Sequence, residues 1–539
     1  MLRVHQLALP LDDAMHLDDA MLRRMCARAL KVAENRIAQV RMSKRSVDAR
    51  GREGAKFTLT VDVTLRESAQ EERLAAKFKP NQVAYIPGGL TDGAADVFSL
   101  SFPPRPKDRK RPVVVGAGPA GQFCALALAV RGARPILIER GRSVDERARD
   151  IETLESDGLL DPESNVLFGE GGAGAFSDGK LTCGLNSPHI RTVLKTLCLC
   201  GAPEDILTAQ KPHIGTDELR GVLKKARAKL IELGAEVRFS CRLTGLDIRN
   251  GRVCAAKLAD GVIETQDVFL AIGHSARDTY EWLFELGLPM QPKPFAIGAR
   301  IEHLQRDIDR AQYGASAGHK ALPPAEYKLN VPTPDDRGVY TFCMCPGGQV
   351  INTSSEKDGV NVNGMSLHAR NGVNANAAVL VGVRPEDFGS DHPLAGVQFQ
   401  RQIEQAAFRR TGSLKAVCQR VADLLEDMPS TALGSVLPGY RPGVEMGTLR
   451  GILPDFAVDN IRSALPRLGR KLRGFDFGDA LLTGPETRSS SPLRMLRDPK
   501  RESPIGGLYP LGEGAGYAGG IVSAAVDGLL AGMEVYGND

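Results

Sequence analysis

Three kinds of residue in this chain are spaced for chemistry: glycines beside apolar runs, paired thiols, and a few imidazole and cationic side chains. Gly116, Gly118 and Gly121 form a Gly-x-Gly-x-x-Gly pattern directly after the β-branched run Val113–Val115. Gly116 permits a tight turn, Gly118 lets the backbone approach a diphosphate, and Gly121 lets the next helix pack closely. Pro119 and Ala120 open that helix, where unpaired N–H groups and the helix dipole favour an anion. A second apolar run, Pro135–Ile138, ends in Glu139, where a ribose-binding carboxylate should stand, with Arg140 next to it. A carboxylate there suits an unphosphorylated ribose, which points to FAD or NAD rather than NADP.

A second glycine-rich stretch runs from Phe168 to Gly184. Its glycines, Gly172 and Gly174 among them, suit a loop that wraps a cofactor, and Ser177 and Lys180 can donate to phosphate or to a flavin ring. A plain surface loop is the alternative. His274 follows the apolar run that ends at Gly273 and can give or take a proton beside a hydride transfer, or serve packing alone. Arg277 lies just beyond it. Arg488, in a Ser-rich stretch, suits an anionic substrate or else a polar turn. Lys180, His368 and Arg370 complete the candidates. No Cys-x-x-Cys occurs, but Cys198/Cys200 and Cys343/Cys345 are spaced one residue apart. On a strand such residues share a face, so Cys343 and Cys345 have a redox or metal reading beside that of buried small apolar groups. Cys183 follows the glycine loop. The few scattered histidines suggest no metal site.

These groups need elements to hold them. Pro119–Arg131 reads as a helix stopped by Gly132, and Ser143–Ser156 as a charged helix. Thr216–Leu233 reads as a helix capped by Thr216 and stopped by Gly234. Val237–Ile248, Arg252–Leu258 and Val262–Thr265 read as a strand meander with Asn-Gly and Asp-Gly turns. Phe295–Glu302, Val339–Cys345 and Ala377–Val383 read as strands, and Gln398–Leu425 as a long helix. In the first hundred residues, Met15–Ala33 has helical spacing, while Ile37–Lys44 and Lys56–Leu65 read as strands. The stretch Pro103–Pro112 is a charged, proline-rich linker, whose basic residues are either solvated or an RNA contact.

At 539 residues the chain has room for roughly two or three domains. Its 42% apolar and 25% charged content is that of an ordinary globular protein. A net charge of only +4 leaves no nucleic-acid footprint, and no apolar run is long enough to span a bilayer. Asp12, Asp13, Asp18 and Asp19 are unlike a secretory signal, and ten cysteines without a regular framework fit reduced thiols, so the expectation is a cytoplasmic protein.

Taken together, the order of these pieces resembles the single-fingerprint FAD oxidoreductases of the glutathione-reductase fold: an N-terminal fingerprint, a meander, then a strand end represented here by Ala271-Ile272-Gly273. The closing stretch Gly507–Gly528 is similar to that of tRNA-modifying flavoproteins and of a set of bacterial FAD-dependent dehydrogenases of unassigned substrate. Phe168–Lys180, Leu270–Thr279 and Thr483–Pro492 look most like the latter set. The resemblance implies that Gly512 and Glu513 lie near the ribityl chain or the pyrophosphate, that Gly520 and Ile521 point a helix dipole at the flavin's pyrimidine end, and that Val237 passes near adenine. It implies an α/β fold: a Rossmann-like FAD-binding domain of glutathione-reductase type, with an inserted α+β substrate domain and a small N-terminal α+β domain. The expected boundaries are 1–100 for the N-terminal module, 101–112 for the linker, 113–279 and 476–539 for the FAD-binding domain, and 280–475 for the substrate domain. No second fingerprint follows, so NADH or NADPH would be a transient reductant. A flavin-dependent tRNA-modifying enzyme and a non-catalytic flavin-binding module stand as alternatives to an oxidoreductase of a small, anionic molecule.

Overall fold

The computed structural model describes residues 1–50, 54–87, 95–101 and 109–536. Most of the expected linker, residues 102–108, lies outside them. Two compact units are present. One comprises Met1–Ala95, Pro203–Pro212 and Asp309–Ala325; the other holds the remainder.

The first unit is built on a four-stranded antiparallel sheet in the order Ile37–Asp48, Lys56–Leu65, Leu2–Leu9, Val83–Tyr85. Lys56–Leu65 alternates polar and apolar residues and buries Phe57, Leu59, Val61 and Val63. Helix Asp19–Leu30 is capped by Asp18, which accepts from Met21 N at 2.7 Å, and closes the core with Leu22, Cys26 and Leu30. Strand Leu2–Leu9 was not foreseen. Its register slips between Val4 and Leu7, with Gln6 at φ 58°, and the slip breaks the period-two pattern.

The second unit has an α/β core. Five short parallel strands stand in the order Leu508–Pro510, Val268–Leu270, Val113–Val115, Ile136–Ile138, Glu236–Arg238. The middle three are apolar and fully covered, as a sheet with helices on its faces requires. Helices Pro119–Val130 and Ile521–Glu534 cross so closely that a Cβ on Gly528 would lie 1.9 Å from the Ala120 carbonyl oxygen. The antiparallel meander is Leu243–Arg249, Arg252–Leu258, Gly261–Glu264. Val237 belongs to the parallel sheet and not, as expected, to the meander: the chain turns at Ser240, φ 50°.

A seven-stranded mixed sheet runs Asn330–Val331, Val339–Cys345, Asn374–Val383, Phe295–Leu304, Leu481–Glu486, Ala416–Arg420, Val444–Met446. Leu481–Glu486 is an interior strand, paired with Phe295–Leu304 and Ala416–Arg420, so it belongs to this sheet although the closing segment was expected to open at 476. The expected long helix over 398–425 is three elements. Helix Ala395–Thr411 stops at Gly412, which is left-handed at φ 62°; strand Ala416–Arg420 and a short helix Val421–Leu425 follow. Helix Thr216–Glu232 is preceded by Gly215 at its N-cap, and the Thr216 hydroxyl donates to Ser177 O at 2.5 Å instead of capping. Ser143 and Glu146 form the capping box of helix Val144–Asp157.

Candidate dinucleotide site

The fingerprint turn is held by backbone geometry that only glycine permits. Gly116 has φ 98°, and a Cβ there would sit 2.3 Å from the Ala271 carbonyl oxygen; a Cβ on Gly121 would sit 1.8 Å from the carbonyl oxygen of Gly116. Gly118 is the N-cap of Pro119–Val130 and no side chain caps it, so the first N–H groups of that helix are left for an anion. Glu139 is buried, and its carboxylate accepts from Ala117 N at 2.7 Å, Gly141 N at 2.9 Å and Gly169 N at 3.0 Å. Three bonds leave about one of a carboxylate's four lone-pair sites for a ribose hydroxyl. Glu139 therefore also ties the fingerprint turn to the glycine loop.

That loop is anchored by a residue the sequence did not mark. Arg147 is fully buried and donates to four carbonyl oxygens, of Asn165, Val166 and Glu170 at 2.7 Å and of Gly172 at 2.9 Å. Burial pushes its guanidinium down to about 9, against the attraction of Glu139 and Glu170. Gly171 N donates to Ala117 O at 2.9 Å, and Gly172 passes over Gly118, where a Cβ would come within 3.1 Å of the Gly118 Cα. Gly174 then lies against Ile521.

Ile521 opens the second helix aimed at the site. Its N-cap, Gly520, has φ 103°, no side-chain cap and open space where a Cβ would project. Gly512 N donates to Asp527 Oδ2 at 2.8 Å; Arg497 and Arg501 hold Asp527 in turn. Glu513 Oε1 stands 3.5 Å from Nδ1 of His274, whose Nε2 is buried and has no hydrogen-bond partner. The Tyr280 hydroxyl donates to Gly514 O at 2.7 Å and reaches Gly273 O at 3.3 Å, so it joins the carboxyl ends of two neighbouring parallel strands. Gly273 and His274 thus face Glu513 across those strand ends.

A dinucleotide fits these residues. Two uncapped helix N-termini face the same glycine loop, one buried carboxylate retains acceptor capacity, and one buried imidazole nitrogen is unpaired. Val237 is half-buried on the edge strand, beside Leu137.

Other expected contacts are corrected. Arg140 pairs with Glu163 and Asp278 at 2.9 Å and stacks on the Phe168 ring at 4.2 Å, so its charge is spent within the protein. The Ser177 hydroxyl donates to Gly174 O at 2.9 Å and accepts from Gly179 N, closing the loop on itself. Lys180 pairs with Asp178 at 3.0 Å and lies 3.9 Å from Cys345 Sγ. Arg277 and Arg488 are buried and converge on Glu404. Arg277 reaches it at 2.8 and 2.9 Å and Arg488 at 2.7 and 2.9 Å. Desolvation of Glu404 is outweighed by these two cations, which hold its carboxyl well below the usual range. Neither guanidinium is open to a substrate anion, and the basis for an anionic substrate falls with them. His368 stacks on His213, and Arg370 binds Asp178, at a distance from the strand ends in the sequence but along the same glycine loop. Cys200 is buried at the end of helix His189–Leu199, and burial pushes its thiol up to about 11.

Among the described residues no group of three metal-ligating side chains is present, and no helix is long and apolar enough to cross a membrane. Arg109, Lys110 and Arg111 of the basic run pair with Asp267, Glu264 and Glu236.

Comparison with known proteins adds a family. Residues 294–489 match the family described as "FAD-dependent protein, C-terminal domain-like", and residues 1–64 match a domain of unknown function, DUF8436. Among solved structures, L-amino acid deaminase from Proteus myxofaciens in complex with anthranilate is 12% identical, with 81% of this chain and 92% of that chain covered and a TM-score of 0.34. CtdE in complex with FAD is 12% identical, with 79% and 83% covered and a TM-score of 0.32. An uncharacterised protein of Clostridium beijerinckii is 41% identical over 531 residues, 98% of this chain and 97% of that protein. The chain belongs to the family of this Clostridium beijerinckii protein, and its residues 294–489 are the part that matches the FAD-dependent protein, C-terminal domain-like family.

Proposed function

We propose that the protein is an FAD-dependent oxidoreductase, with a Rossmann-like FAD-binding region of the glutathione-reductase type. The observation that carries this reading is the pair of uncapped helix N-termini, at Gly118 and Gly520, joined by one glycine loop. A dinucleotide's diphosphate suits the first, and the second suits the charge that a reduced flavin gains. When bound, FAD supplies the redox chemistry, taking up or releasing a hydride.

The chain's own groups do the rest. The N–H groups after Gly118 bind the diphosphate, while Glu139 and Arg147 keep the glycine loop folded over it. His274 takes or gives a proton at Nε2, the atom left unpaired, and Glu513, 3.5 Å from Nδ1, orients the ring. Tyr280 keeps the strand end carrying His274 in register with the one carrying Glu513. The substrate is a small molecule, and a nicotinamide would visit the site without a domain of its own. The reading is tested by anaerobic titration of the purified protein with NADH and then NADPH, followed in the flavin absorption bands. Bleaching by one nucleotide supports a reductase cycle. A flavin that neither nucleotide nor any small-molecule donor bleaches would contradict an oxidoreductase.

A further inference from the structure

The glycine loop that passes the cradle ends at two thiols. From Gly174, against Ile521, the chain reaches Lys180, whose Nζ lies 3.9 Å from Cys345 Sγ and 3.0 Å from the Asp178 carboxylate. Asp178 is itself fixed by Arg370. Cys345 is buried at the end of strand Val339–Cys345; Cys343 is half-buried. Cys345 Sγ donates to the Cys343 carbonyl oxygen at 3.3 Å.

The backbone explains how they meet. In a fully extended strand, alternate residues stand about 7 Å apart, at the outer limit for a disulfide. Here Cys343 takes φ 44°, a left-handed conformation rare outside glycine, and the pairing with Asn374–Val383 slips between Phe342 and Cys345. The kink is held by Arg300, fully buried, whose Nη1 donates to the Cys343 carbonyl oxygen at 2.8 Å and whose Nε pairs with Glu486 at 2.7 Å.

Two cations therefore flank a kinked pair of thiols, one half-buried and one enclosed. We propose that Cys343 and Cys345 form a redox-active dithiol that reduces small disulfides by thiol–disulfide exchange, with Cys343 attacking and Cys345 resolving. The charges agree with the roles. The hydrogen bond from Cys345, followed by the fields of Lys180 and Arg300, holds the Cys343 thiol well below its ordinary range in spite of burial. Cys345 is pushed the other way by the same hydrogen bond and by burial.

The steps balance without a further reagent. The Cys343 thiolate attacks one sulfur of the disulfide; that S–S bond breaks, and one half leaves as a thiolate that takes a proton from solvent. Cys345 then attacks the Cys343 sulfur, beside the Lys180 ammonium that stabilises its charge, and the second half leaves as a thiol with the proton that Cys345 gives up. The substrate gains two electrons and two protons, and the dithiol becomes a Cys343–Cys345 disulfide. An external dithiol restores it. None of these steps needs flavin, so they hold or fail independently of the cofactor.

The test is chemical trapping on the reduced full-length protein. It is mixed with oxidised glutathione near pH 7, quenched in acid, digested and read by mass spectrometry. Wild type is expected to carry the Cys343–Cys345 disulfide. Cys345→Ser is expected to carry glutathione on Cys343, Cys343→Ser neither product, and Lys180→Met to close the disulfide roughly tenfold more slowly, the scale of one pKa unit. Circular dichroism checks that each variant is folded, and Cys→Ala versions replace any Ser variant that is not. A Cys343 that stays a free thiol in folded Cys345→Ser, or that captures glutathione no faster than the half-buried Cys183, Cys198 and Cys254, would overturn the proposal.

Discussion

Arg147 reads in the sequence as one more charge on a polar helix, yet folded it holds the glycine loop by four carbonyl oxygens. Replacing it with methionine leaves those oxygens buried and unpaired. Arg147→Met is expected to lower stability by about 3–5 kcal/mol in urea titrations and to weaken FAD retention. Glu404→Gln is expected to cost a similar amount, about 3–5 kcal/mol, because Arg277 and Arg488 would face each other across a neutral amide. His274→Asn separates chemistry from binding. It should keep its FAD while hydride transfer falls by about 10²–10⁴-fold in anaerobic stopped-flow measurements. Residues of this kind divide by how far their partners lie along the chain. The places of Gly116, Gly118, Gly121 and Glu139 in the turn and at the strand end were legible because one short strand–turn–helix–strand stretch sets them. The inward turn of Arg277 and Arg488 was not, because Glu404 lies 127 and 84 residues away from them.

At the scale of elements, the site depends on two helices crossing with no side chain between them. Gly528 against Ala120 makes that crossing, so Gly528→Ala forces the helices apart. The expected cost is about 1–3 kcal/mol, with a loss of bound FAD that tracks it across a series of small side chains at 528. The seven-stranded sheet carries a titration of its own. Burial pushes the Glu302 carboxyl up to about 7, against the bonds it accepts from Asn374 and Gly439. The folded state therefore favours the protonated acid. Its contribution to stability is complete below the ordinary carboxyl range, near 4.5, and is lost as pH rises through about 7. Urea midpoints measured from pH 4.5 to 8 should fall less steeply for Glu302→Gln than for wild type. Strands with a clean period, such as Lys56–Leu65, and helices with strong caps, such as Val144–Asp157, were readable. Elements interrupted by a left-handed residue were misread: Gly412 ends a helix expected to continue, Ser240 splits one expected strand, and Gln6 hides another. In each case one residue's backbone angle outweighs the periodicity of its neighbours.

For the whole molecule, the parallel sheet brings together segments from opposite ends of the chain. Val113–Val115, Val268–Leu270 and Leu508–Pro510 lie side by side, so the fingerprint, the His274 strand end and Glu513 share one edge. The sequence announced these pieces singly; their adjacency is a property of the sheet order. The returns of Pro203–Pro212 and Asp309–Ala325 to the N-terminal unit have no sequence signature, since neither differs in composition from an ordinary loop. The most direct test of the account is the flavin content of the purified chain. The protein is incubated with FAD, freed of excess, and its visible spectrum recorded before and after denaturation, alongside Gly116→Val. The account predicts about one FAD per chain for wild type, as one fingerprint requires, and little or none for the variant. A wild-type chain that is folded yet takes up no flavin, or one whose FAD survives Gly116→Val undiminished, would contradict it.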